Sequence, residues 1–269
     1  FRDKSRMKDV LRNAGLPCAR HRLISAVNEA WGFVKEVGYP IVVKPPAGAG
    51  ARSTWRVESD ENLTRALALG PPRADRPVLL EEFITGEEHS FDSIFIQGRP
   101  AFHSISRYSP TPLEVLENPW IQWVVMLPRK IDGPEYDDIR DVALKSLKTL
   151  GLSTGLTHME WFRRKDGSVA VSEVAVRPPG AQFTSLISWA HDFDFYRGWA
   201  QVVIFEEFAP PPRKYAVGAA YLRGQGQGRV KVVHGLDTAQ REFGDLVVES
   251  KLPKPDQAPT GTYEGEGYV

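Results

Sequence analysis

The stretch YPIVVKPPAGAGARSTWRV, Tyr39 to Val57, ends a β-branched run on Lys44 and continues into a loop of proline, alanine and glycine. Such a loop lets backbone N–H groups approach an anion closely, and a lysine beside it supplies a point charge for phosphate oxygens. Lys44 is therefore a candidate phosphate ligand, with Gly48, Gly50 and Ser53 as the loop positions that would face it. The lysine precedes the glycines, so this is not the G-x-x-x-x-G-K-[ST] phosphate loop. A strand-end lysine ahead of a plain surface turn would read the same way.

A second group lies in GLTHMEWFRRKDGSVAVSEVAVRPPG, where Glu160 and Glu173 flank a KDG turn. Counting inward from Asp166–Gly167 brings the two acids near each other across a hairpin, with Arg177 just beyond. Like charges on adjacent strands repel, and shared burial pushes one pKa upward. A divalent cation removes that penalty; two carboxylates suit Mg²⁺, whose other positions go to water and phosphate. Apolar Met159, Trp161, Val174 and Val176 speak against the alternative of a solvated hairpin. In VLLEEFITGEEHSFD an apolar strand runs into Glu81–Glu82–Phe83–Ile84, which could present backbone groups to a flat base, and Glu88 could accept from a ribose. A solvated acidic turn is the competing reading.

The elements that must position these groups follow from periodicity. Met7, Val10 and Leu11 mark a helix that stops at Gly15 and Pro17, and a second helix runs from a Ser25 cap to Gly38. PIVVK is a short buried strand and DENLTRALALG a helix. PVLLEEFI, HSFDSIFI and RPAFHSIS read as strands, the last two joined at Gln97–Gly98. DDIRDVALKSLKTLG is an amphipathic helix, KDG joins a hairpin, and residues 181–205 are mostly helical. After APPPRK the pattern turns to strands, YAVGAAYL, RVKVVHGL and GDLVVES, with a boundary at Pro210 to Pro212. The irregular alternation indicates a mixed α+β layout rather than a doubly wound parallel sheet.

Of the 269 residues, 42% are hydrophobic and 25% charged, and 34 basic residues balance 34 acidic ones. That composition is of the ordinary globular kind and gives no broad footprint for nucleic acid or a membrane surface. The single cysteine, Cys18, excludes an intrachain disulfide and reads as a small buried side chain. No run reaches the length of a membrane span and no leader is present, so a cytoplasmic setting is expected. The start at Phe1 and the stop at YEGEGYV suggest part of something longer.

Taken in order, RDKSRMKDVLRNAGLP, VKPPAGAGARS, LLEEFITGEEHSFD, GLTHMEW and SEVAVRPPGA resemble the ATP-grasp superfamily over most of the chain. The resemblance implies an α+β fold in which two subdomains clasp ATP under a glycine-rich flap. It implies an ATP-grasp domain over 1–212, with a helical lead-in at 1–20, a lid-type subdomain at about 21–85 and a second at about 86–212. A small β-rich region over 213–269 follows, and the N-terminal domain usual in the family is absent from these residues. Lys4 then matches the first nucleotide lysine, Lys44 the second, Glu81 to Ile84 the adenine hinge and Glu88 the ribose ligand. Glu160 and Glu173 match the magnesium ligands, with Mn²⁺ as a substitute ion, and Arg177 the arginine facing the transferred phosphate or acyl group. Many members have asparagine two residues after the second metal glutamate; here that position is Ala175, which cannot ligate.

The function so implied is an ATP-dependent carboxylate–amine ligase. A carboxylate takes the γ-phosphate to become an acyl phosphate, an amine attacks it, and the loop from Ala47 to Thr54 keeps water out. Its partners would be small carboxylates and amines, and a homodimer is compatible with it. Arg107, Tyr108, Trp120 and Trp123 are where substrate contacts would fall; His103, His158 and His191 read as packed or surface histidines, with His158 closest to Glu160. The alternatives are a bicarbonate-activating enzyme of the biotin-carboxylase or carbamoyl-phosphate-synthetase kind, and a nucleotide-binding module without turnover.

Overall fold

The computed structural model describes residues 1–48, 53–118, 120–224 and 226–269. In chain order the first elements are α1 (Lys4–Asn13), β1 (His21–Ile24), α2 (Asn28–Val37), β2 (Ile41–Lys44), β3 (Trp55–Val57), α3 (Asp60–Leu69), β4 (Val78–Glu82), β5 (Gly86–Ile96) and β6 (Arg99–Ser109). There follow α4 (Pro112–Glu117), β7 (Trp123–Leu127), α5 (Asp137–Thr149), β8 (Gly155–Arg164), β9 (Val169–Ala175), α6 (Phe183–His191), α7 (Phe195–Phe205), β10 (Val217–Leu222), α8 (Leu236–Phe243) and β11 (Gly267–Tyr268). They pack as two compact units, residues 1–103 with 132–177 and residues 104–131 with 178–269. No helix among the described residues is long and apolar enough to cross a membrane.

The first unit holds a four-stranded antiparallel sheet in the order β1-β4-β2-β3. Its helices start on polar caps: Asp3 accepts from the Arg6 N–H at the head of α1, and Ser59 from the Asn62 N–H at the head of α3. Each cap satisfies one of the N–H groups that a helix start leaves without an internal partner. Ile24, Phe33, Ile41, Val43, Val57, Leu63, Leu67 and Leu80 form one buried cluster, so α2 and α3 cover this sheet. In the same unit β5, β8 and β9 pair antiparallel, with β8 in the middle.

The second unit joins β7, β10 and β11 antiparallel, with α6 packed on β7 and β10 and α7 packed on α6. Tyr108, Trp123, Phe183 and Tyr221 make an aromatic core, with Trp123 stacked on Tyr221 at 4.8 Å. Two expected strands differ. RVKVVHGL and GDLVVES do not form strands; the segment that joins them, Leu236–Phe243, is a helix entered through Gly235 at φ 81°. Alternation makes a strand only where one face finds a sheet or core to cover it, and Val232, Leu246 and Val248 remain 60%, 78% and 58% exposed. The proline run at 210–212 lies inside this unit, where His191 bonds the Pro211 carbonyl at 2.8 Å and the Lys214 N–H donates to Ala190 O.

Candidate functional site

Lysine and carboxylate side chains from α1, β2, β4, β5, β8 and β9 converge in the first unit. On α1 the residues at i, i+4 and i+7, Lys4, Lys8 and Leu11, share one buried stripe. That stripe was expected to hold Met7, Val10 and Leu11; Val10 is 40% exposed instead. Lys4 Nζ donates to Gly48 O at 2.7 Å and sits 3.0 Å from Glu173 Oε1, so it ties the start of the small-residue loop to β9. Lys44, at the end of β2, places its Nζ 2.9 Å from Glu81 Oε2. Gly48 takes φ 150° and Ser53 φ 55°, both in the region where side chains are disfavoured. Gly50 lies outside the described residues.

The hairpin register sets Glu160 directly opposite Glu173, while the next pair outward is Trp161 with Val171. Ser172 is therefore the extra residue of a β-bulge. Without it Glu160 would face Ser172, and Glu173 would turn to the other face of the sheet. With it, Glu88, Ser90 and Asp92 of β5, His158 and Glu160 of β8, and Glu173 of β9 share one face. The opposite face packs apolar and aromatic groups, including Met159, Val174 and His89 stacked on Trp161 at 4.4 Å.

Charges in this cluster are strongly coupled. Burial draws the Lys44 ammonium down, but the Glu81 and Glu173 carboxylates more than offset it and hold it above its usual value. Burial raises Glu81, and Lys44 with Lys8 overcomes that and keeps it ionised, below the usual range. His158 is buried, which opposes its charge, yet Asp92 at 2.6 Å and then Glu160 push it up to about 10. Burial penalises Glu160, but the His158 cation brings its carboxyl below the usual range. Glu88 goes the other way: burial and then Glu160 hold its carboxyl well above the usual range.

The donor set fits Mg²⁺. Glu160 and Glu173 are hard oxygen donors side by side on paired strands. Among the described residues no group of three or more His, Cys, Asp or Glu could hold a metal ion. A pair of carboxylates completed by water and phosphate oxygens is the usual Mg²⁺ arrangement at phosphate-handling sites.

The remaining expected residues fall as follows. Glu82 accepts from the Arg20 backbone N–H at 3.0 Å and from Arg20 Nε at 2.6 Å, and the Arg56 guanidinium lies 4.5 Å over the Phe83 ring. Ile84 packs with Ala19, Ala170 and Phe162 in a small apolar cluster just past the end of β4. Arg177 is exposed, two residues past the end of β9. In the second unit Trp123 is 1% exposed and belongs to the core rather than to a side-chain pocket, whereas Trp120 is 63% exposed. His191 is packed, and His103 stacks on Phe91 at 5.2 Å. Cys18 is buried, and burial raises its thiol. Lys8, which the sequence reading passed over, is fully buried in the midst of the cluster. Its signal was available: a lysine four residues from Lys4 on the stripe that ends in Leu11.

The ATP-grasp domain matches residues 9–188 of this chain. The chain belongs to the ATP-grasp family, and its α+β architecture is that fold. The L-arginine-specific L-amino acid ligase of Bacillus subtilis is 24% identical over 210 residues, 76% of this chain and 50% of that protein. Among solved structures, the L-amino acid ligase from Bacillus licheniformis superposes with a TM-score of 0.75 at 21% identity, covering 100% of this chain and 66% of that one. Carboxyaminoimidazole ribonucleotide synthase from Aspergillus clavatus, solved with ATP, gives 0.71 at 17% identity over 100% of this chain and 68% of that one. At such identities the two structures speak for the fold. The chain spans about half the length of the curated relatives it matches.

Proposed function

We propose that this chain carries the nucleotide site of an ATP-dependent carboxylate–amine ligase. The observation that carries the reading is that Lys4, paired with Glu173, and Lys44, which feels Glu173 and Glu160, lie in one unit with those two facing acids: cations for phosphate beside two carboxylates for magnesium. The B. subtilis relative named for amino-acid ligation supports an amino acid as the carboxylate.

The carboxylate oxygen attacks the γ-phosphorus of ATP, the bond to the β-phosphate oxygen breaks, and ADP leaves with that electron pair. The amine then attacks the acyl carbon and phosphate departs. Lys44 neutralises charge on the α- and β-phosphates, and Lys4 holds the entry to the loop that approaches them. Glu81 to Ile84 form the adenine hinge and Glu88 meets the ribose. Arg177 offers a rigid fork of donors to the acyl phosphate oxygens. Mg²⁺, or Mn²⁺ in its place, would be held by Glu160 and Glu173 and would neutralise developing charge on the transferred phosphoryl group. Small-molecule carboxylates and amines, without nucleic acid or membrane, are the partners in this reading, with a cytoplasmic setting and a homodimer as its expected context.

Phosphate release from MgATP should be negligible with an L-amino acid whose α-amine is blocked and should rise when a free amine is supplied beside it. Release that responds to bicarbonate alone would move the assignment to bicarbonate activation, and tight binding of ATP with no release under any pairing would leave a binding module.

A further inference from the structure

Lys8 makes contacts that the proposed chemistry does not use. Its Nζ donates to Ser172 O at 2.6 Å and lies 3.5 Å from Glu81 Oε1, and its side chain has no solvent exposure. Ser172 is the bulge residue whose presence turns Glu173 to face Glu160. A bulge residue is left out of the ladder, and here the ammonium occupies its carbonyl. The other contact, Glu81, is the carboxylate that grips Lys44 at 2.9 Å on its second oxygen. One buried cation thus touches both the bulge that aligns the carboxylate pair and the partner of the phosphate-facing lysine.

We propose that Lys8 is a positioning residue for the nucleotide site: it pins the Ser172 bulge and shares Glu81 with Lys44. The inference rests on the nucleotide reading of Lys44 and Glu173. Sharing matters because a carboxylate divided between two lysines leaves part of the Lys44 charge for an incoming anion. With Lys8 removed, Glu81 becomes the private counter-ion of Lys44 and draws it away from the phosphates. At the same time the Ser172 carbonyl loses its donor, and the bulge that faces Glu173 towards Glu160 loses its anchor.

The test is a calorimetric titration of the chain with Mg²⁺ and the non-hydrolysable analogue adenylyl imidodiphosphate, using Lys8→Met, Lys44→Ala and the double variant. Lys8→Met should weaken binding on the order of tenfold to a hundredfold, the range seen when a group supporting a ligand is lost. The double variant should lose less than the product of the two single losses, since part of the Lys8 effect runs through the carboxylate it shares with Lys44. Should Lys8→Met fail to give a cooperative melt, Lys8→Gln, which can still donate to the Ser172 carbonyl but leaves Glu81 to Lys44, should show the same less-than-multiplicative dependence on Lys44. Unchanged affinity in Lys8→Met, or losses that multiply in the double variant, would overturn the positioning role while leaving the nucleotide reading intact. An unaltered chain that does not bind the analogue would overturn that reading and this inference together.

Discussion

Replacing Lys44 with alanine is expected to abolish the stabilisation of the chain by MgATP. A ligand at a hundred times its dissociation constant stabilises the native state by about 2.7 kcal/mol, which for a chain of this size raises Tm by roughly 5–10 °C. Lys44 is the buried cation at the end of β2, ahead of the small-residue loop, and Glu81 and Glu173 favour its charge even though burial opposes it. Without it the phosphates meet a carboxylate, Glu81, balanced among the described residues by Lys8 at 3.5 Å. The shift should therefore fall close to zero, and turnover should drop by about 10²–10³-fold, as when a single preorganised donor is lost. Thermal melts with and without MgATP check this, each variant serving as its own unliganded reference. An equal MgATP shift in both proteins would remove Lys44 from the phosphate site.

Glu160→Gln is expected to separate activity from stability. The side chain keeps its size and loses one of the two charges that face each other across the hairpin. If the pair holds magnesium, several kcal/mol of transition-state stabilisation disappears, about 10³-fold in rate. The unliganded fold should not suffer, because relief of like-charge repulsion on adjacent strands offsets the lost attraction to His158, and His158 keeps Asp92 at 2.6 Å. The measurements are phosphate release over a range of Mg²⁺ concentrations and the melting temperature without ligand. A normal rate at saturating Mg²⁺, or a melting point several degrees lower, would mean that Glu160 serves the fold rather than the metal.

What the sequence disclosed of this site depended on how local each determinant was. The KDG turn fixes its hairpin within a few residues, so both acids were found near each other from spacing alone. Their direct pairing was not legible, because it depends on a bulge at Ser172, and a serine in a strand carries no mark of one. Lys44 was legible as the end of a β-branched run before a loop of small residues. Lys8 was overlooked because a lysine on an apolar helix stripe is read as the edge of that stripe until the residue beneath it is known to be a carboxylate. Glu81 lies beyond reach of local patterns, since its partners stand on α1 and β2, 73 and 37 positions away in sequence by residue number. RVKVVHGL and GDLVVES were misread as strands for a related reason: their β-branched pattern is real, but Val232, Leu246 and Val248 stay exposed.

The acyl phosphate itself can be followed with an L-amino acid labelled with ¹⁸O in both carboxylate oxygens, incubated with MgATP and an amine acceptor. Formation and aminolysis of an acyl phosphate must carry one of those oxygens from carbon to phosphorus, so the released inorganic phosphate should contain one ¹⁸O per turnover. Phosphate that is free of label while an amide still forms, or ¹⁸O found in AMP instead, would contradict γ-phosphoryl activation at the site built around Lys44, Glu160 and Glu173.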